Sequence, residues 1–244
     1  MTSKHGHYKF MKVLVIGGAG FVGSNLCKRL KENKNSVISL DNYSAGTRDN
    51  HVKNVTYIEG QSIDVDKLVN EDVDLIFHLG EYSRVEKSFV DIEKVIDSNI
   101  NGTAAVLEFW RKQKCKLVYA GSSTKFSNDS GKDSSPYAYT KSSNTDLVKN
   151  YASWFDLPYA ISYFYNVYGR NEVAEGNYAT LIAILKKRFS EGKNLNIVEP
   201  GSQRRNFTHI DDIIDALVLI GDKGAGDEYG IGADESYSVL DVAS

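Results

Sequence analysis

Between an apolar run of strand length, Val13–Ile16, and residues at helical spacing, Val22, Leu26 and Leu30, stands Gly17-Gly18-Ala19-Gly20-Phe21-Val22-Gly23. Such a turn has no Cβ at its glycines to obstruct a ligand, and the helix after it offers free N–H groups and a positive dipole end. The spacing is G-x-x-G-x-x-G, with Gly18 as a further glycine. Asp41 falls 18 residues past Gly23, at the end of a second predicted strand, Ser36–Leu40. A carboxylate there accepts hydrogen bonds from a ribose 2′-OH and repels a 2′-phosphate, so the pattern predicts NAD rather than NADP.

The same alternation continues along the chain. Val55–Ile58 and Leu75–Leu79 read as strands, Ser88 to about Gln113 as a helix broken near Asp97-Ser98-Asn99, and Leu117–Ala120 as a fifth strand. Pro136–Phe155 reads as a long helix and Tyr159–Tyr163 as a sixth strand. Short β-branched runs alternating with amphipathic helices imply an α/β fold, a parallel sheet covered on both faces. With the glycine turn this becomes a Rossmann-type doubly wound parallel sheet over residues 1–165. Past about Asn166 the pattern changes to a helix at Thr180–Glu191, a short strand at Leu195–Val198 and a helix at Ile210–Ile220 started by Asp211 and Asp212. Residues 166–244 are expected to form a partial substrate lobe, with some elements packing back on the first domain.

Composition narrows the function classes. A net charge of −3 gives no reason to expect nucleic acid or an anionic membrane as partner. No apolar run approaches the ~18 residues needed to span a bilayer, and the polar leader Met1–Phe10 lacks the apolar core of a secretory signal. Cys27 and Cys115 are far apart and read as thiols of a reducing cytoplasm, not as a disulfide or a metal site. His5 and His7 sit on that leader and are not taken as metal ligands.

Tyr137-Ala138-Tyr139-Thr140-Lys141 places a phenol and an ammonium four residues apart on a predicted helix, hence on one face. A neighbouring cation favours phenolate over phenol, which suits a base for a sugar hydroxyl. Ser122, after a strand and before Tyr137, adds a hydroxyl able both to donate and to accept.

Together these residues resemble the extended branch of the short-chain dehydrogenase/reductases, in particular the NAD-dependent nucleotide-sugar epimerases and dehydratases, from about Lys12 to Ala243. Further segments carry the resemblance: Asp41-Asn42-Tyr43-Ser44, His78-Leu79-Gly80-Glu81-Tyr82-Ser83-Arg84-Val85, Asn99-Ile100-Asn101-Gly102-Thr103, Gly121-Ser122-Ser123-Thr124, Tyr165-Asn166-Val167-Tyr168-Gly169 and Gly201 to Phe207. The resemblance implies Ser122, Tyr137 and Lys141 as catalytic residues. It implies a cofactor site of Gly17, Gly20, Phe21, Val22, Gly23, Asp41, Asn42, Ser44, Gln61, Ser62, Leu79, Gly80, Asn99, Tyr137 and Lys141. Substrate contacts are implied for Glu81, Ser83, Ser122, Ser123, Thr124, Asn166, Asn177 and Arg205, the last on the nucleotide diphosphate. Relatives also imply a homodimer built on the helices near Asn99–Gln113 and Pro136–Phe155, where Phe109, Trp110 and Trp154 serve either the interface or the core. They normally continue past the position of Ser244, so a shortened lobe is expected.

In the 4,6-dehydratases an Asp-Glu pair follows the catalytic hydroxyl residue; here Ser123 and Thr124 stand there. The expectation is therefore a UDP-sugar 4-epimerase working through a transient 4-keto sugar. Two other readings stay open. One is a dehydratase or reductase in which Glu81, replacing a small residue, turns a carboxylate into the substrate pocket. The other is a non-catalytic NAD-binding protein with an incomplete lobe.

Overall fold

The computed structural model describes residues 10–123 and 134–244. β1 (Lys12–Ile16) is buried almost throughout and alternates its side chains between two cores. Leu14 and Ile16 join one cluster with Val106, Leu107, Trp110 and Val148; Val13 and Val15 join the other with Leu26, Leu30, Ile213 and Leu217. A strand apolar on both faces needs helices on both, which is the doubly wound arrangement. Each fully buried Leu, Ile or Val contributes roughly 1.5–3 kcal/mol.

The elements in order are α1 (Phe21–Glu32), β2 (Ser36–Asp41), β3 (Thr56–Glu59), α2 (Val65–Leu68), β4 (Leu75–His78), α3 (Ile92–Val95), α4 (Gly102–Gln113), β5 (Lys116–Ser122), α5 (Pro136–Phe155), β6 (Tyr159–Phe164) and β7 (Val167–Tyr168). There follow α6 (Leu181–Ser190), β8 (Arg204–Arg205), β9 (Thr208–His209), α7 (Ile210–Lys223), β10 (Gly226–Ile231), β11 (Tyr237–Ser238) and α8 (Val239–Ala243). Among the described residues seven strands form one parallel sheet in the order β10-β6-β5-β4-β1-β2-β3. The order reverses between β1 and β4, and the C-terminal ends of strands beside such a reversal form a crevice.

Three local differences from the sequence expectation have physical causes. The break expected at Asp97–Asn99 is a π-helical segment, Ile96–Asn101, joining α3 to α4. Its wider turn seats Asn99 fully buried between the loop after β4 and α5. Leu195–Val198 forms no strand: half of that segment is exposed and no described strand pairs with it. β10, unforeseen, adds a seventh strand through backbone pairing with β6, with a register shift between Gly226 and Tyr229.

α5 matches its predicted limits, and its start is signalled locally. The Ser135 side chain accepts the Ala138 N–H at 3.1 Å and Pro136 stands at the first helical position. Of the aromatic residues proposed for interface or core, Phe109 and Trp110 are core, whereas Trp154 is 62% exposed. No helix of the described residues is long and apolar enough to cross a membrane.

Candidate active site

Gly17, Gly18 and Gly23 are sterically required, Gly18 because a Cβ on it would lie 2.4 Å from the Ser39 Oγ. Gly17 has φ +85°, and a Cβ on it would lie 2.8 Å from the Gly80 Cα. A Cβ on Gly23 would lie 2.0 Å from the Gly17 carbonyl oxygen. Gly20 is different: its Cβ would meet only the Gly17 oxygen, at 3.4 Å. Gly20 caps α1 without a side-chain hydrogen bond, and no acidic residue sits in the first turn. The first N–H groups of α1 thus remain without a capping side chain, a site fitted to an anion.

Asp41, buried at the end of β2, ties that strand to the turn. Its Oδ2 accepts the Ala19 N–H and its Oδ1 the Tyr43 N–H, both at 2.8 Å. Asn42 donates to Gln61 Oε1 at 3.4 Å and accepts the Ser44 N–H at 3.0 Å, while Ser62 Oγ donates to Gly80 O at 3.3 Å. Asp41, Asn42, Ser44, Gln61 and Ser62 line a cleft of about 570 Å³ together with Gly17, Gly20, Phe21, Val22, Gly23, Leu79 and Gly80. The uncapped helix start, the glycine cradle and the carboxylate at the end of β2 are the donor and acceptor set a dinucleotide needs.

Tyr137 and Lys141, one helical turn apart on α5, line the same cleft. The Lys141 side chain is only 7% exposed; its ammonium donates to Ala120 O at 2.6 Å and is ion-paired with Glu81. The expectation that Glu81 turns a carboxylate into the substrate pocket is corrected. Its side chain is 2% exposed, so the residue meets the cleft through its backbone while the carboxylate lies inside the protein. There it accepts from Thr103 Oγ1 at 2.6 Å, Asn144 Nδ2 at 2.7 Å and the Tyr119 hydroxyl at 2.9 Å, besides Lys141. Burial pushes the Glu81 carboxyl up, but Lys141 and the surrounding donors more than offset that and hold it below the ordinary carboxylate value. The same burial, with Glu81 beside it, drives the Tyr119 phenol well above its ordinary range. His78 is enclosed behind this group, its Nε2 2.9 Å from Thr103 Oγ1, and burial lowers its pKa to about 4.

The remaining expected residues are distributed as follows. Ser83 lines the cleft. Ser122 is buried at the end of β5, directly after the cleft-lining Gly121, and neither it nor Ser123 is part of the cleft wall. Asn99 does not line the cleft either: its amide is consumed by the Tyr82 backbone and Thr140. Asn166 adopts φ +36° after β6, accepts the Thr208 N–H at its own carbonyl and donates its amide to Asn206 O at 3.1 Å. Arg205 is exposed on β8, outside the cleft wall. Its neighbour Arg204 is used structurally, on Ser236 Oγ at 3.0 Å and in an ion pair with Asp241. Thr124 lies outside the described residues, as does the side chain of Asn177.

Sequence reasoning passed over Tyr82, Arg84, Tyr178 and Thr180, which also line the cleft. The Arg84 guanidinium lies 5.4 Å from the Tyr178 ring centroid and donates to the Tyr178 carbonyl. Tyr178 and Thr180 reach the cleft from the second half of the chain, a proximity without a local signal.

A doubly wound sheet whose crevice combines a glycine cradle, an acceptor at the end of β2 and a Tyr–Lys pair defines a dinucleotide-dependent α/β enzyme class. Residues 13–232 match the model of the NAD dependent epimerase/dehydratase family, and the chain belongs to that family. It is 32% identical to a dTDP-D-glucose 4,6-dehydratase of Dictyostelium discoideum over 95% of this chain and 60% of that protein. It is 31% identical to an uncharacterized UDP-glucose epimerase of Bacillus subtilis over 96% of this chain and 80% of that one. Among solved structures, the UDP-glucose 4-epimerase of Thermotoga maritima superposes with a TM-score of 0.88 at 26% identity, covering 96% of this chain and 80% of that one.

Proposed function

We propose that the chain is an NAD-dependent epimerase acting on a nucleotide diphosphate sugar, a UDP-sugar inverted at C4 through a transient 4-keto intermediate. The observation that carries this is the single cleft shared by the glycine turn, Asp41, Tyr137 and Lys141. Bound NAD supplies a hydride acceptor that returns the hydride afterwards. Tyr137 takes the proton of the C4 hydroxyl, and family resemblance assigns the bridge between phenol and sugar oxygen to Ser122, which stands at the end of β5 next to the cleft-lining Gly121. Lys141 holds the nicotinamide ribose with the donor that Glu81 and Ala120 leave over. Family resemblance assigns the diphosphate to Arg205 and the rest of the nucleotide sugar to Ser83, Ser123, Thr124, Asn166 and Asn177, of which Ser83 lines the cleft.

Epimerisation is favoured over dehydration because elimination needs a further acid and base beside the sugar. Ser123 is not a carboxylate, and the Glu81 carboxylate is enclosed by its own donors. The similarity to a dehydratase makes that reaction the alternative to test against. Purified protein with NAD is incubated with UDP-, dTDP- and GDP-sugars, and products are read by NMR. A C4 epimer is expected from a UDP-sugar. A keto-sugar in excess over epimer selects the dehydratase, and cofactor binding without any product selects a non-catalytic protein.

A further inference from the structure

The ammonium that family resemblance assigns to tyrosine activation is not alone in this chain. Its partner carboxylate, Glu81, comes from the loop after β4. Two opposite charges in contact act on a third group as a dipole, whose effect falls off faster with distance than that of a single charge. The Lys141 ammonium, in contact with the Glu81 carboxylate, therefore presents less net positive charge to the cleft than a bare ammonium does. The pair is also rigid. Glu81 is gripped from β5 by Tyr119, from α4 by Thr103 and from α5 by Asn144 and Lys141. Lys141 is pinned from its other side by Ala120 O.

We propose that Glu81 is the positioning residue of the Tyr137–Lys141 pair: its buried carboxylate anchors the Lys141 ammonium and cancels its charge toward Tyr137. The proposal rests on Tyr137 being the proton acceptor, and it deepens that reading by naming what sets the pH range in which the phenol works. The other charged or titratable groups facing this site are His78 on β4, Tyr119 on β5, and Tyr82 and Arg84 on the loop after β4, with Asp41, Lys94, Asp97 and Tyr178 on the cleft wall. His78 titrates at about 4 and Tyr119 well above its ordinary range, so neither changes charge near neutrality. Arg84 keeps its charge in every variant considered below.

The test is a charge cycle on the full chain without substrate, so it is independent of whether any sugar turns over. The ultraviolet phenolate signal of Tyr137 is isolated by subtracting, in each background, the same protein carrying Tyr137→Phe. Glu81→Gln leaves Lys141 uncompensated, and the signal is expected at a pH about one unit lower than in the wild type. Lys141→Met leaves a bare carboxylate, and the signal is expected at higher pH. In the double variant Glu81→Gln/Lys141→Met both charges are gone, and the signal returns to within about half a unit of the wild type. Glu81→Asp keeps the charge and tracks the wild type. A purely structural Glu81 would weaken the fold without producing this order. If Glu81→Gln titrates with the wild type, or the double variant titrates with Lys141→Met, the proposal is overturned. Should Glu81→Gln alone fail to fold, the comparison of Lys141→Met with the double variant decides on its own. An absence of sugar turnover together with the expected order would remove the epimerase reading and leave only the charge cancellation between Glu81 and Lys141 standing.

Discussion

The Asn99 side chain grips the Tyr82 backbone at both polar groups: its Oδ1 accepts the Tyr82 N–H at 2.7 Å, and its Nδ2 donates to the Tyr82 carbonyl at 3.1 Å. The same Nδ2 reaches Thr140 on α5 at 3.1 Å, and the Asn99 carbonyl accepts from Asn144 at 2.6 Å. The π-helical segment thereby fixes the loop that carries Glu81, Tyr82 and Arg84 against the helix that carries Tyr137. Asn99→Ala leaves the Tyr82 N–H to Ser98 Oγ but orphans the Tyr82 carbonyl in a buried site. An unsatisfied buried group costs about 1–3 kcal/mol. Urea denaturation of the variant is expected to show a loss in that range, and a loss below about 0.5 kcal/mol would mean water replaces the amide.

Gly20 and Gly23 separate folding from cofactor binding. Gly23→Ala drives a methyl onto the Gly17 carbonyl and must open the turn, so a destabilisation of about 1–3 kcal/mol is expected. Gly20→Ala meets ordinary contact distance and leaves the melting temperature nearly unchanged. It does place a methyl at the start of α1, where the dinucleotide phosphates are expected. Calorimetric titration with NAD should show affinity reduced tenfold or more in Gly20→Ala, with melting close to wild type.

What the sequence made legible was local. The glycine spacing, Asp41 at a strand end, the i,i+4 pair of Tyr137 and Lys141, and the Ser135-Pro136 start of α5 are all written within one or two turns of chain. What it hid was either unpatterned or distant. β10 reads Gly-Asp-Glu-Tyr-Gly-Ile, with two glycines and two acids that strands disfavour, and it forms because β6 offers an unpaired edge. Leu195–Val198 has apolar residues at alternate positions but pairs with no strand among the described residues. The Glu81 orientation depends on Thr103, Tyr119, Asn144 and Lys141, which stand 22 to 63 residues away. No spacing rule reaches that far.

His78 makes the fold sensitive to mild acid. Its Nε2 bonds Thr103, its Nδ1 is buried without a partner, and burial lowers its pKa from 6.5 to about 4. Between those values the unfolded chain takes up a proton that the folded chain refuses, so stability present above pH 6.5 falls as pH drops toward 4. At about 1.4 kcal/mol per unit, the loss amounts to roughly 3 kcal/mol. Glu81, held below its ordinary value, loses its own contribution only at lower pH, below about 4.5. Denaturation midpoints at pH 7.5 and 5 should diverge in the wild type and converge in His78→Gln, whose amide does not titrate. Equal pH dependence in both proteins would exclude His78 as the cause.

Adjacent arginines on β8 are expected to fail in different ways. Arg204 is engaged with Ser236 and Asp241, so Arg204→Ala should loosen the β8–β11 pairing and lower thermal stability. The Arg205 side chain has no hydrogen bond or ion pair among the described residues, and Arg205→Ala should leave melting unchanged. If it binds the diphosphate, the loss of a charge-assisted contact of about 1.5–3 kcal/mol raises KM at least tenfold. An unchanged KM for every nucleotide sugar that turns over would take Arg205 out of the site.

Tyr137→Phe tests the centre of the functional reading while disturbing little else. The phenol is at the second position of α5, whose start is held by Ser135 on the Ala138 N–H and by Pro136, and neither contact involves the hydroxyl. Melting temperature and NAD affinity are therefore expected to stay near wild type, because the glycine turn and Asp41 are untouched. Proton transfer by a positioned side chain contributes typically 10²–10⁴-fold, so kcat should fall by about that factor with little change in KM. Activity within about threefold of wild type would show that another group takes the proton. A parallel loss of NAD binding would show instead that the hydroxyl is a cofactor contact, and the drop in kcat would then say nothing about acid–base chemistry.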